Sequence, residues 1–387
     1  MNIKSLSKQT ALKIFLLIVG AAAFLAFPLQ LPDRIGSIDF RPYWSSSFLL
    51  AHGQDFSDPS KLDNVERTLT GWSEPFTMIA WFAPTGNLVL LPYTLFPFSR
   101  AVYYWLITNV MIVFFSALLI WGNTTSHKWI PLVAAFSFSM TLLSLIFGQV
   151  NTLVLLGVAL FLFFSASRHD YATGASLVLT TIKPHLLILT LPLLLLDIVR
   201  RKQWRVFAGF VGALAGSALI LFYFYPAWPV SFWHLVASGM DSAREAPTLS
   251  GLLVMAGDRT WAEWIWAIGL FFAIIVWWKR GKEWDRRSLI DVSILAGMML
   301  APIGWSYDQV MLLFPLLSVL EWVANGSLTR KDAIAVLLAL IIINGVTYYE
   351  RTLVPSEVWF FWVPLVVAVV YAFAKQRKLP ASDANAN

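Results

Sequence analysis

Two stretches, LLALIIIN at residues 337–344 and IIVWW at residues 274–278, decide the fold. Neither alternates polar with apolar residues, so neither reads as a strand with one wet face or as a wall segment of a transmembrane barrel. Both lie inside longer apolar segments of roughly 18 residues or more, the length at which a helix crosses hydrocarbon. Lipid admits only structures that satisfy their own backbone hydrogen bonds, which are helices and closed barrels. With the barrel excluded, the chain is an all-α polytopic membrane protein. The same reading places helices near 12–31, 100–121, 130–147, 150–166, 171–183, 185–198, 206–225, 260–278, 288–302, 308–324, 331–348 and 356–374, about 12 transmembrane helices in all. Residues 1–378 form a single transmembrane domain, and 379–387 form a cytoplasmic tail expected to be disordered. Composition agrees. Only 13% of the 387 residues are charged, 58% are hydrophobic and the mean hydropathy is +0.69, whereas soluble domains carry about 25% charged residues.

Charge sets the orientation. Basic residues concentrate in loops that this scheme puts inside: Lys4 and Lys8, Arg200-Arg201-Lys202, Lys279-Arg280, Arg286-Arg287, Arg330-Lys331 and Lys375 to Lys378. That asymmetry is the positive-inside rule. It leaves two long outer segments, 32–99 and 226–259, and the first is rich in acids (Asp33, Asp39, Asp55, Asp58, Asp63, Glu66, Glu74). The net charge of +6 is spread over short loops, which argues against a nucleic-acid partner and makes the bilayer the partner. The basic start followed by Ala21-Ala22-Ala23 resembles a secretion signal, but is expected to remain as a first helix. With no cysteine in the chain, disulfides and thiolate metal sites are excluded. No phosphate-binding loop, metalloprotease motif or serine elbow is present, and neither a metal nor a cofactor is expected. The absence of an internal repeat speaks against an inverted-repeat transporter.

Polar residues at membrane depth mark candidate sites. Asp39, in GSIDFRPYW just after the first helix, reads as an N-cap or as a carboxylate of raised basicity at the outer surface. Lys183 and His185 flank Pro184 at the tip of a short outward hairpin, where Lys183 either snorkels to water or presents a cation to a lipid phosphate. Gln149 and Asn151 flank a turn, where their amides either satisfy exposed backbone groups or bind sugar hydroxyls. Tyr307 and Asp308, in APIGWSYD, either begin a helix or close the far wall of an outward cavity.

These segments together, SIDFRPYWSSSFLLAHGQDFSDP, FGQVNTLVLLGVAL, TTIKPHLLILTLPLLLL and LAPIGWSYDQVMLLFPLL, resemble in order and spacing glycosyltransferase family 87, the polyprenyl-phosphate-sugar-dependent membrane enzymes of the GT-C fold. The likeness runs roughly from 36 to 320. It implies an inverting transferase that moves a mannose-like sugar from a polyprenyl-phosphate donor to a lipid or glycan acceptor, on the outer face of the cytoplasmic (inner) membrane. In such enzymes the first outer loop carries the catalytic carboxylate, which here falls on Asp39. The chemistry then makes Lys183, His185 and Arg244 candidates for the donor phosphate. Arg41, Tyr43, Gln149, Asn151, Tyr307 and Asp308 are candidates for substrate binding. Two features depart from the family pattern: no histidine stands near Tyr307-Asp308, and the first-loop aromatic-Pro-Pro stretch is reduced to Phe82-Ala83-Pro84. The competing readings are a transporter or flippase for a polyprenyl-linked sugar, and a structural subunit of an envelope assembly.

Overall fold

The computed structural model describes residues 35–122, 127–237, 245–281, 284–353 and 356–378. The first expected helix (12–31), Arg244 and the tail 379–387 lie outside them. The described residues are helical, with no strand. Six helices are long and apolar enough to cross a membrane: Phe98–Trp121, Trp204–Phe224, Arg259–Arg280, Ser306–Ala324, Arg330–Leu353 and Glu357–Gln376. Trp129–Ser137 and Ser139–Phe147 make a seventh if the bent pair is one span.

Each expected segment within the described residues is helical, but three differ in kind from a plain crossing. The segment 130–147 bends by 66° at Phe138, where the backbone turns extended (ψ 121°). The break leaves backbone groups unpaired at membrane depth, a cost that a neighbouring helix must offset. Asn344 does so, accepting the Ser139 N–H at 2.8 Å and donating to the Ser137 carbonyl at 2.6 Å. The segments 171–183 and 185–198 are also not simple rods. Each joins a short α-helix (Asp170–Ser176, Thr190–Arg200) to 3-10 turns (Leu177–Thr181, Pro184–Leu187). Pro184 ends the first, as its missing donor requires.

Burial sorts the spans. The Ser306–Ala324 window is 72% buried and runs through the centre, whereas Arg259–Arg280 is only 11% buried. The outward face of the latter (Trp264, Phe271, Phe272, Trp278) is exposed, as expected of a lipid-facing helix. The segment 35–99, expected to face outward, is ordered by local rules. Asp58 caps the helix Pro59–Thr70 by accepting the Ser60 N–H at 2.8 Å, and Gly71 ends it at φ +70°. It docks on the helix Phe40–Ala51. On the side expected to face inward, Asp197 pairs with Arg201 (2.8 Å) and Arg286 (3.1 Å), tying two helix ends together.

Candidate active site

The site is assembled around one turn. The helix Ser139–Phe147 ends at Gly148, at φ +73°, and a side chain there would place its Cβ 2.2 Å from the Gly36 carbonyl oxygen. Only glycine permits both the left-handed backbone and that approach. The turn is then fastened from two sides. Gly36 N–H donates to the Ile146 carbonyl (2.6 Å) and Asp39 N–H to the Phe147 carbonyl (2.9 Å). Trp105 Nε1 donates to the Gly148 carbonyl (2.8 Å), and Asn109 Nδ2 to the Gln149 carbonyl (3.0 Å). The segment carrying Asp39 therefore has one register against the segment carrying Gln149.

Gln149, fully buried, is the hub. Its Nε2 donates to Asp39 Oδ2, while its Oε1 accepts from the Tyr43 hydroxyl at 3.0 Å and from Lys183 Nζ at 2.8 Å. Lys183 continues to Asp308 Oδ1 at 3.2 Å. It lies beside the stacked rings of Trp305 and Tyr307, 5.6 and 5.3 Å from their centroids. Asn151 Nδ2 donates to Asp308 Oδ1 (3.2 Å) and to the Tyr307 carbonyl (2.9 Å). Residues far apart in sequence thus form one network: Asp39, Tyr43, Gln149, Asn151, Lys183, Tyr307 and Asp308.

The alternatives left open by the sequence can now be weighed. Asp39 stands at the N-cap position of Phe40–Ala51, but its side chain makes no capping hydrogen bond. Burial lifts its carboxyl from 3.8 to about 6, against the opposing pull of the Gln149 amide and the Lys183 charge. Near neutrality such a carboxylate is ionised yet a far better proton acceptor than an ordinary aspartate. Lys183 does not snorkel, since it is 1% exposed and fully engaged. Asp308 has two duties: Oδ2 accepts the Trp305 N–H at 3.1 Å at the start of its helical turn, while Oδ1 serves Lys183.

Three expected residues stand apart. Arg41 is directed away from the network. Its guanidinium donates to the Thr70 carbonyl at 2.6 Å and lies between Trp72 and Phe98, each 4.9 Å away. It fastens the helices Phe40–Ala51 and Pro59–Thr70 to each other, near the buried Glu66, whose carboxyl burial pushes up to about 7. His185 lines a cavity of about 540 Å³ together with Phe82, Ile182, Pro184, Arg259 and Glu263. Its Nε2 has no hydrogen-bond partner among the described residues. Arg244 is outside the described residues. The cavity adjoins the network at two places. Ile182 and Pro184 bracket Lys183, and Phe82 packs edge-on against Tyr43, with centroids 4.9 Å apart.

Sequence reading missed Trp105, Asn109, Arg259 and Ser144, whose hydroxyl donates to the Tyr307 carbonyl at 2.9 Å. Asn109 could have been found, because it is an amide in the middle of the apolar helix Phe98–Trp121, where a polar group needs a partner. Trp105 looks like any buried aromatic until its Nε1 is seen on Gly148. Among the described residues no group of three or more His, Asp or Glu is arranged to hold a metal ion.

The family model of glycosyltransferase family 87 matches residues 81–315. The chain belongs to glycosyltransferase family 87. It is a multi-pass membrane glycosyltransferase, and the match spans Gln149, Asn151, Lys183, Tyr307 and Asp308. Asp39 and Tyr43 come before the match and join those residues only through the fold. No curated protein and no solved structure matches the chain.

Proposed function

We propose that this family 87 enzyme moves a mannose-like sugar from a polyprenyl-phosphate donor to a lipid or glycan acceptor, with inversion and with Asp39 as general base. The acceptor oxygen attacks the anomeric carbon while the bond from that carbon to the phosphate oxygen breaks. The acceptor proton passes to Asp39, and polyprenyl phosphate leaves with the electron pair. One base and one displacement invert the centre. The leaving group is already a stable anion and needs stabilisation rather than protonation. The observation that carries this reading is Asp39 itself: a carboxylate at a helix start that does not cap, with its basicity raised by burial.

Lys183 is committed to Gln149 and Asp308, so its part is to hold Asp308 and Gln149 in place and lend positive potential. The groups left for the donor phosphate are His185, with its unpartnered Nε2, and Arg259, exposed at the mouth of the same cavity. The cavity's apolar wall (Phe82, Ile182, Phe232, Val254) suits the isoprenoid next to that phosphate. The architecture is of the GT-C type with about 12 crossings, in the cytoplasmic membrane, and the Asp39 side faces outward. In this reading Arg259→Gln raises KM for polyprenyl-phosphate mannose by about tenfold or more, since a hydrogen bond to a charged group is worth roughly 1.5–3 kcal/mol, and leaves kcat within a factor of a few. An unchanged KM with this donor would remove Arg259 and its cavity from the donor site.

A further inference from the structure

The segment carrying Tyr307 and Asp308 is held from behind by residues that follow it far along the chain. Glu357 accepts the Ser306 N–H at 2.8 Å, 51 residues away, and the Phe360 carbonyl accepts Gln309 Nε2 at 2.9 Å. Arg351 donates to the other oxygen of Glu357. The Arg351 guanidinium lies 5.8 Å from the centroids of both Phe147 and Phe360. Phe147 immediately precedes the Gly148 turn, its carbonyl accepts the Asp39 N–H, and its ring lies 5.6 Å from that of Tyr307. Arg351 and Glu357 thus touch both halves of the site, and both lie beyond residue 315, where the family match ends.

We propose that Arg351 and Glu357 are a positioning pair that keeps the Asp39–Gln149 half of the site in register with the Lys183–Asp308 half, and so governs the rate of transfer without touching substrate. The pair is partly exposed (29% and 15%), and ion pairs so placed add little to stability. Geometry is what it supplies. Displacing a reacting group by about 1 Å costs roughly 10²-fold in rate, and the Ser306 N–H and the Phe147 ring are the two points from which such a shift would start. Among the described residues, the charged and titratable groups facing Asp39 are Lys183, Asp308, Tyr307 and Tyr43. Tyr307 and Asp308 sit on the segment that Glu357 holds, Lys183 bonds to Asp308, and Tyr43 bonds to Gln149 beside the Phe147 that Arg351 touches.

The inference rests on Asp39 being the base, so its test includes a readout that needs no sugar. Dicyclohexylcarbodiimide modifies protonated carboxyls in apolar surroundings, and labelling of Asp39 against pH, read by peptide mass spectrometry, reports its titration. In the wild-type chain half-labelling should fall near pH 6, the value to which burial lifts Asp39. Glu357→Ala should move that midpoint upward, because a loosened Gln149 contact withdraws a hydrogen bond from the carboxylate. It should also lower kcat by about tenfold or more with KM for polyprenyl-phosphate mannose unchanged. Glu357→Gln keeps an acceptor for the Ser306 N–H and should fall between the two.

A folded Glu357→Ala protein with wild-type kcat and an unmoved midpoint overturns the proposal, as does a lower melting temperature with both unchanged. If Glu357→Ala does not fold, Glu357→Gln and Arg351→Lys decide by the same criteria. A midpoint that shifts while the wild-type enzyme shows no transfer from polyprenyl-phosphate mannose would uphold the positioning role and refute the donor assignment instead.

Discussion

Replacing Asp39 with Asn separates catalysis from structure, because Asn keeps the shape and any capping oxygen but removes the base. As a base, Asp39 must be ionised, so wild-type kcat should fall as pH drops through about 6. The linkage has a definite sign. The carboxyl binds its proton more tightly in the fold (about 6) than in the unfolded chain (3.8). The native state therefore holds more protons between those values, and stability falls as pH rises through that window. Two units at 1.36 kcal/mol each set an upper bound of about 3 kcal/mol for the cost of an ionised Asp39 at neutral pH. Asn keeps the shape and removes that cost, so Asp39→Asn should melt no lower than wild type at pH 8, and at about the same temperature at pH 4. Its turnover should fall by roughly 10²–10⁴-fold, the usual contribution of a general base. The assay is transfer from lipid-linked sugar by purified enzyme in detergent, with thermal unfolding followed at both pH values. A stable variant with undiminished transfer refutes the catalytic role. A variant that melts well below wild type at pH 8 refutes the claim that the ionised carboxylate is a net cost to the fold.

Lys183→Met should destabilise the protein by about 3–5 kcal/mol, since it leaves Asp308 buried and unpaired, and adding Asp308→Asn should restore part of that in thermal unfolding; additive losses would argue against the pair. Gly148→Ala should abolish transfer and lower thermal stability, because its Cβ meets the Gly36 carbonyl at 2.2 Å in a left-handed backbone, whereas Gly216→Ala, with nothing within 4 Å, should be silent. In this cysteine-free chain, Ser60→Cys and Lys202→Cys, both exposed, should react with an impermeant thiol reagent from opposite sides of the membrane; labelling from one side would break the proposed topology.

The chain by itself determined that it spans lipid as helices, because hydrocarbon leaves no other backbone solution and long unalternating apolar runs such as 337–344 fit none but a helix. It also fixed where those helices lie, to within a few residues at Phe98–Trp121 or Arg259–Arg280, since end signals such as the Asp258 cap and Lys279-Arg280 are local. It offered Asp39, Gln149, Lys183 and Asp308 as residues in need of explanation, because each is costly where it stands. It did not decide what they do. Whether Asp39 caps a helix, whether Lys183 reaches water and whether Arg41 joins them are questions about partners 29 to 125 residues away. Local propensity carries no information over that distance. The bend at Phe138 depends on Asn344, and the register of Asp39 against Gln149 depends on a glycine whose missing side chain lets two turns touch. Those are contacts of tertiary packing, and only the folded chain contains them.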